Sequence, residues 1–97
     1  MTGVDVRCTR DDRGWTCDVR IREGDREPTR HAVRVEAPDL ARLAPREADP
    51  TALVERSFAF LLEREAPGSI LPSFDLREIT RYFPEYDREI RRQIADD

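Results

Sequence analysis

The first 21 residues carry the pattern that most constrains the fold, because it favours one hairpin register. Apolar and polar residues alternate on both sides of a turn at Asp11-Asp12-Arg13-Gly14, where Gly14 is expected to supply a left-handed residue. On one face this register pairs Val4 with Ile21, Val6 with Val19, Cys8 with Cys17 and Arg10 with Trp15. The other face pairs Asp5 with Arg20, Arg7 with Asp18 and Thr9 with Thr16, which are favourable cross-strand pairs. A slip of one residue would destroy both patterns.

A third strand is predicted after the polar loop at residues 23–28, because His31, Val33 and Val35 alternate with polar or small residues. We take its register to pair Ile21 with His31. The sequence therefore predicts a three-stranded antiparallel meander, at about residues 4–10, 15–22 and 30–36, with one buried face.

Helices are predicted in the rest of the chain, at about residues 50–65, 76–83 and 84–95. A single helical turn is also expected from Asp39 to Leu43. Asp49 as cap and Pro50 as first helical residue indicate where the first long helix begins, and Pro67-Gly68 indicates its end.

The next helix, a short one, has the sequence of a capping box, with Asp75 and Glu78. Phe74 and Ile79 fit a hydrophobic staple at the same place. Pro84 separates this helix from the last one, which has only a thin apolar stripe. The predicted fold class is α+β, with the meander packed against the C-terminal helices in one domain, residues 1–97.

Composition limits the function classes. The chain of 97 residues is 39% charged and contains neither a long apolar span nor a secretory signal, so we expect a cytoplasmic protein without a membrane anchor. All 17 basic residues are Arg, which codon bias in a GC-rich genome explains more simply than selection for anion binding. The net charge of −4 disfavours a nucleic-acid-binding protein.

The polar face of the predicted sheet carries the candidate contact residues. Arginines that could meet an anion or a partner are Arg7, Arg20, Arg22 and Arg34, with Arg30 beside them. Acidic residues interrupt this row, and Trp15 points to the apolar side, so the face lacks the stacking aromatics of an RNA platform. A solvated face is the favoured interpretation.

Cysteine and histidine allow several interpretations. Cys8 and Cys17 are predicted neighbours and could form a redox switch or a disulfide, but free thiols buried in the core are favoured, because a cytoplasm keeps thiols reduced. His31 is placed at the far end of the sheet, so no metal site and no cofactor are predicted.

No arrangement of residues predicts an enzyme. Nothing is spaced to work with His31 as a base, and Ser57 is expected to donate a hydrogen bond to the carbonyl of Leu53. The helices between Pro50 and Phe83 do not suit a helix-turn-helix, because residues 66–74 are too long for its tight turn.

The C-terminal half resembles a small uncharacterised family of bacterial and archaeal proteins. The similarity lies in residues 57–65, in Ser69-Ile70-Leu71, in Phe74-Asp75-Leu76 and in Tyr82-Phe83-Pro84-Glu85-Tyr86. It implies no activity and no functional residue.

These observations favour a non-enzymatic protein-interaction or regulatory module. Its partner would be another protein or a second copy of the chain, bound at the open edge of the first or third strand. The alternative is a nucleic-acid-binding protein that uses the arginines of the sheet.

Overall fold

Four strands and four helices in an α+β arrangement make up the described part of the chain, which is residues 2–95 of the computed structural model. The strands are β1 (Thr2–Arg10), β2 (Gly14–Glu23), β3 (Thr29–Glu36) and β4 (Ser73–Asp75). They form one sheet in the order β1-β2-β3-β4. The helices are α1 (Ala37–Leu43), α2 (Thr51–Leu62), α3 (Ile79–Tyr82) and α4 (Tyr86–Ala95).

The hairpin register predicted from the sequence is confirmed at every pair. β1 and β2 are antiparallel, with Val4 opposite Ile21, Val6 opposite Val19, Cys8 opposite Cys17 and Arg10 opposite Trp15, and with the three polar pairs as expected. The register of β2 with β3 was wrong by two residues, because Val19 and not Ile21 lies opposite His31. A shift of two residues keeps each side chain on its face, so alternation alone does not distinguish the two registers.

The predicted three-stranded antiparallel sheet is wrong in one respect, because β4 adds a fourth strand parallel to β3. Phe74 pairs with Val33, and the amide of Ala32 donates to the carbonyl of Pro72 over 2.8 Å. A strand of three residues is too short to show an alternating pattern. It therefore covers part of the β3 edge, from Ala32 to Arg34, without a signal in the sequence.

The turn between β1 and β2 differs from the expectation for Gly14. Among the described residues only Gly24 has a positive φ, of 57°. Gly14 is required for a different reason, because a Cβ atom there would lie 2.2 Å from the carbonyl oxygen of Val35. The turn itself is closed by the Asp11 carboxylate, which accepts from the amides of Arg13 and Gly14 over 2.9 and 3.0 Å.

The helices agree with the predicted ones in place but not in length. α2 ends at Leu62 and not near residue 65, and the helix expected at 76–83 is a 3₁₀ turn, Leu76–Glu78, followed by α3. Where the sequence predicts a single helical turn from Asp39 to Leu43, the structure has the longer helix α1. The capping box of Asp75 and Glu78 is confirmed, with the Glu78 carboxylate accepting from the Asp75 amide over 2.7 Å.

The core lies between one face of the sheet and the helices. Buried side chains from the sheet include Cys17, Val19, Ile21, Val33 and Val35. They pack in one cluster with residues of α2 and α4, among them Leu53, Val54, Phe58, Tyr86 and Ile90. Within residues 2–95, none of the helices has the length and apolarity needed to cross a membrane.

Candidate interaction surfaces

The outer edge of β1 is the longest stretch of unpaired backbone in the sheet. Within residues 2–95, β1 pairs with β2 alone, whereas β3 lies between β2 and β4. The nine residues of β1 pair without a bulge and contain no proline. Natural edge strands are usually shortened, bulged, charged or covered. β1 carries the exposed charged residues Asp5, Arg7 and Arg10, but it is neither short nor bulged, so another strand can join it along its length.

The hydrogen-bond phase of the hairpin shows which backbone groups are available at this edge. The amide of Asp11 donates to the carbonyl of Gly14 over 2.8 Å, which makes that pair hydrogen-bonded. Bonded and non-bonded pairs alternate along an antiparallel ladder. The amides and carbonyls of the even-numbered residues therefore point outward: Thr2, Val4, Val6, Cys8 and Arg10.

The apolar face remains incompletely covered at the same edge. On β2, Cys17, Val19 and Ile21 are each 2% exposed or less. Their partners Val4, Val6 and Cys8 are only half-buried, although they pack against the core. The apolar layer thus continues to the rim of the sheet, where a further strand would complete its burial.

The four arginines predicted as contacts do not form one cluster of free cations. Arg22 donates from Nε to Oδ2 of Asp5 over 2.8 Å, and this hydrogen bond is the main reason why the pKa of Asp5 is lowered. Arg34 pairs with Asp11 and, through Nη2 at 3.1 Å, with Glu36. The hydrogen bond from Arg34 is also the main cause that lowers the pKa of the Asp11 carboxyl.

Arg7 and Arg20 are less engaged in ion pairs than Arg22 and Arg34. Arg7 lies opposite Asp18, and Arg20 lies opposite Arg30 across β2 and β3. Within the described residues, no carboxylate comes within ion-pair distance of Arg20 or Arg30. Two like charges directly opposite each other are unfavourable in a sheet. On its other side Arg20 lies opposite Asp5, and its charge helps to lower the pKa of that carboxyl.

A groove between α1 and α4 holds a second group of arginines that sequence analysis missed. It encloses about 740 Å³ and is lined by Arg42, Arg46, Arg88, Arg91 and Arg92, with Glu47 and Asp87 as its acidic residues. Arg42 pairs with Asp87 and Arg92 with Glu89. The contact of α1 with α4 brings these residues together, and no local pattern indicates that contact.

An apolar cleft of about 160 Å³ is lined by residues from the end of α2, from the segment around Ile70 and from α3. Leu71 and Tyr82 border it, and they are the exposed large hydrophobic residues of the described chain, at 46% and 66% exposure. Glu65 and Glu78 also line it. The Glu78 carboxylate is already used to cap the 3₁₀ turn.

Cys8 and Cys17 form a disulfide, so the favoured expectation of free thiols is wrong. Their Cα atoms are 3.9 Å apart, and they form a non-hydrogen-bonded pair, the kind in which facing side chains lie closer together. Among residues 2–95, no group of three or more His, Cys, Asp or Glu side chains could hold a metal ion.

His31 and Ser57 have structural partners in the interior. The ring of His31 is 5% exposed, with Nδ1 2.7 Å from the carbonyl of Leu71 and Nε2 3.0 Å from the hydroxyl of Thr29. It thus connects β3 to the segment that leads into β4. Ser57 donates to the carbonyl of Leu53 over 2.7 Å, as predicted.

No protein-family model, curated protein or solved structure matches this chain. The family resemblance of the C-terminal half therefore stays a prediction.

Proposed function

We propose that this chain is a non-enzymatic protein-interaction module that binds its partner by adding a strand to the β1 edge. The observation that carries the proposal is the bare outer edge of β1, together with the half-buried row of Val4, Val6 and Cys8. In strand addition, main-chain hydrogen bonds supply affinity and alternate side chains supply specificity. The backbone groups of the five outward-facing residues can form the main-chain hydrogen bonds, and the apolar row can contact alternate side chains of the partner.

The asymmetry of the sheet supports the choice of this edge. The third strand was an equal candidate in the sequence, but β4 pairs with part of it, and the amide of Ala32 is bonded to Pro72. The β4 strand has three residues, against nine for β1. A partner strand therefore finds its longest continuous pairing surface on β1.

The experiment compares the protein isolated from its own host with an edge-blocked variant, Val6→Lys. A lysine at this position places a charge on the apolar face at the middle of the edge, which opposes strand addition. Ala41→Lys on α1 is the matched control, because it adds the same charge on an exposed helical position. Under native, low-salt conditions, gel filtration should show a complex larger than 11.3 kDa for the wild type and Ala41→Lys.

The Val6→Lys protein should elute as the free chain, with unchanged circular dichroism. A wild-type protein that elutes at 11.3 kDa from the host extract would contradict the proposal, and so would a complex that Val6→Lys leaves intact.

Nucleic-acid binding is the second candidate function, and the arginine-lined groove between α1 and α4 favours it. Phosphate contacts release counterions, so this function predicts binding that weakens steeply with salt. Fluorescence anisotropy with a labelled single-stranded oligonucleotide tests it at low salt. Arg88→Glu with Arg91→Glu should abolish binding at the groove, whereas Arg20→Glu with Arg30→Glu should abolish binding at the sheet. No anisotropy change for the wild type would rule out both sites.

A further inference from the structure

We infer that the strand added to β1 is the β1 strand of a second copy, antiparallel to the first and centred on Val6. The inference rests on the proposed function, because it names the partner for the same edge. It makes the module a symmetric homodimer with one eight-stranded sheet.

Symmetry restricts how two copies can meet at this edge. A two-fold axis perpendicular to the sheet makes the two β1 strands antiparallel and keeps both apolar faces on the same side. The outward-facing groups belong to the even-numbered residues, so even residues must pair with even residues. Odd shifts are excluded, because they would place apolar side chains on the polar face.

The register centred on Val6 is the one that pairs β1 along its whole length. It sets Val6 opposite the partner's Val6, and the ends meet as Thr2 opposite the partner's Arg10. With each even-numbered residue in a hydrogen-bonded pair, about ten main-chain hydrogen bonds would form. On the apolar face, Val4 lies opposite the partner's Cys8, so the half-buried row of one copy covers that of the other.

Charge complementarity selects the same register. On the polar face, the register centred on Val6 places Asp5 opposite the partner's Arg7. The two-fold symmetry repeats this pair on the other side of the axis. Within each copy, Arg7 already lies opposite Asp18 and Asp5 opposite Arg20. The row across the seam then alternates in sign over four strands: Asp18, Arg7, the partner's Asp5 and the partner's Arg20.

The neighbouring registers are opposed by the same residues. A shift of two residues in one direction centres the pair on Asp5 and sets it against the partner's Asp5. A shift in the other direction sets Arg7 against the partner's Arg7. Like charges directly opposite are destabilising across strands, and both shifts also shorten the paired segment.

Charge exchange between two variants tests the register on the purified full chain. In Asp5→Arg the arginine at position 5 faces the partner's Arg7, and in Arg7→Asp the aspartate at position 7 faces the partner's Asp5. Each variant alone should dissociate at least about tenfold more readily than the wild type. An equimolar mixture should recover the dimer, because both facing pairs are again of opposite sign.

Recovery on mixing distinguishes the contact from simple damage to the hairpin. Each substitution also removes an interaction within its own chain, the ion pair of Asp5 with Arg22 or the cross-strand pair of Arg7 with Asp18, and mixing cannot restore those. Sedimentation velocity should give about twice 11.3 kDa for the wild type and for the mixture. The mixed species should contain one copy of each variant by native mass spectrometry.

A cysteine at the symmetry axis gives an independent test. In Val6→Cys the two new thiols face each other and should join the copies under mild oxidation, as seen on a non-reducing gel. Thr9→Cys is the control, because its two copies would lie about 20 Å apart along the strands. Cross-linking at position 6 and not at position 9 supports the register.

The outcomes separate this inference from the proposed function. If the purified chain is monomeric and Val6→Lys still abolishes the host complex, the homodimer is overturned. Strand addition to a different protein then remains as the function. A dimer that shows neither recovery on mixing nor cross-linking at position 6 overturns the β1 register. A host complex unaffected by Val6→Lys overturns both.

Discussion

The hydroxyl groups of Ser57 and Tyr86 lie 2.6 Å apart inside the core, and neither residue has exposed surface. Ser57 Oγ donates its proton to the carbonyl of Leu53, so the tyrosine hydroxyl is the donor between the two side chains. This hydrogen bond connects α2 to α4. It adds to the burial of Tyr86 and Ile90, which packs the last helix against the core despite its thin apolar stripe.

The first prediction concerns the two partners of this hydrogen bond. Ser57→Ala leaves the buried Tyr86 hydroxyl without an acceptor and should lower the free energy of unfolding by about 1–3 kcal/mol. Tyr86→Phe should cost only about 1 kcal/mol, because Ser57 keeps its bond to Leu53. Urea denaturation measures both, and the double variant should be more stable than Ser57→Ala alone. A larger loss for Tyr86→Phe than for Ser57→Ala would contradict the assignment of donor and acceptor.

The second prediction follows from the ionisation of the same tyrosine. Burial, opposed in part by the hydrogen bond with Ser57, raises the pKa of Tyr86 above its ordinary value of 10.0. The unfolded chain therefore loses this proton at a lower pH than the folded chain, and ionisation favours unfolding. The stability due to this group is complete below pH 10.0 and should be lost as the pH rises from there towards the folded pKa.

The matched control for this pH dependence is Tyr86→Phe, which cannot ionise at position 86. Urea unfolding at intervals between about pH 8 and pH 11 should give a steeper decline for the wild type than for the variant, since an ordinary tyrosine ionises near pH 10. Parallel declines would show that another group causes the alkaline loss.

How far the sequence specifies this fold depends on the range of the interactions. The register of β1 with β2 could be predicted because its pairs, from Val4 with Ile21 to Arg10 with Trp15, flank one short turn and all favour the same register. The capping box at Asp75 is local in the same way. The β4 strand could not be predicted, since its three residues pair with β3 about 40 positions earlier.

The candidate surfaces also differ in how far the sequence could predict them. The β1 edge follows from the strand order, which the sequence anticipated except for β4. The arginine groove depends on how α1 packs against α4, and neither helix indicates its neighbour. The sequence correctly placed Cys8 opposite Cys17, so the predicted geometry allowed a disulfide. The expected cytoplasmic location nevertheless favoured free thiols.

The third prediction concerns this disulfide. It closes a loop between positions nine residues apart, and cross-links of that size stabilise by about 2–3 kcal/mol in the chain-entropy model. Cys8→Ala with Cys17→Ala should therefore lower the free energy of unfolding by about this amount. Dithiothreitol should destabilise the wild type and leave the double variant unchanged, as measured by urea denaturation. Equal stability with and without reductant would show that the bond does not stabilise the hairpin.

Thiol counting on protein isolated from its host separates the two expectations about location. Disulfides persist in oxidising compartments, and a cytoplasm keeps most thiols reduced. The structure leads us to expect that alkylation under denaturing conditions labels neither cysteine. Two labelled cysteines would instead agree with the cytoplasmic prediction.

The last prediction uses three glycines that differ in their surroundings. In Gly14→Ala the new Cβ would meet the Val35 carbonyl oxygen at 2.2 Å and the Cα of Glu36 at 2.9 Å, so β2 and β3 must separate locally. Both contacts are with backbone, which cannot rotate away as a side chain would. We expect a loss of about 1–3 kcal/mol or more in the free energy of unfolding.

Gly24→Ala and Gly68→Ala are the matched controls. Neither new Cβ would meet an atom within 4 Å, but Gly24 has a φ of 57° and should cost about 1 kcal/mol when replaced. Gly68 has no such φ, so alanine there should be neutral or slightly stabilising, because it restricts the unfolded chain. Thermal and urea unfolding should rank Gly14→Ala below Gly24→Ala and Gly24→Ala below Gly68→Ala. If Gly14→Ala were as stable as Gly68→Ala, the close approach of β3 to the hairpin turn would be wrong.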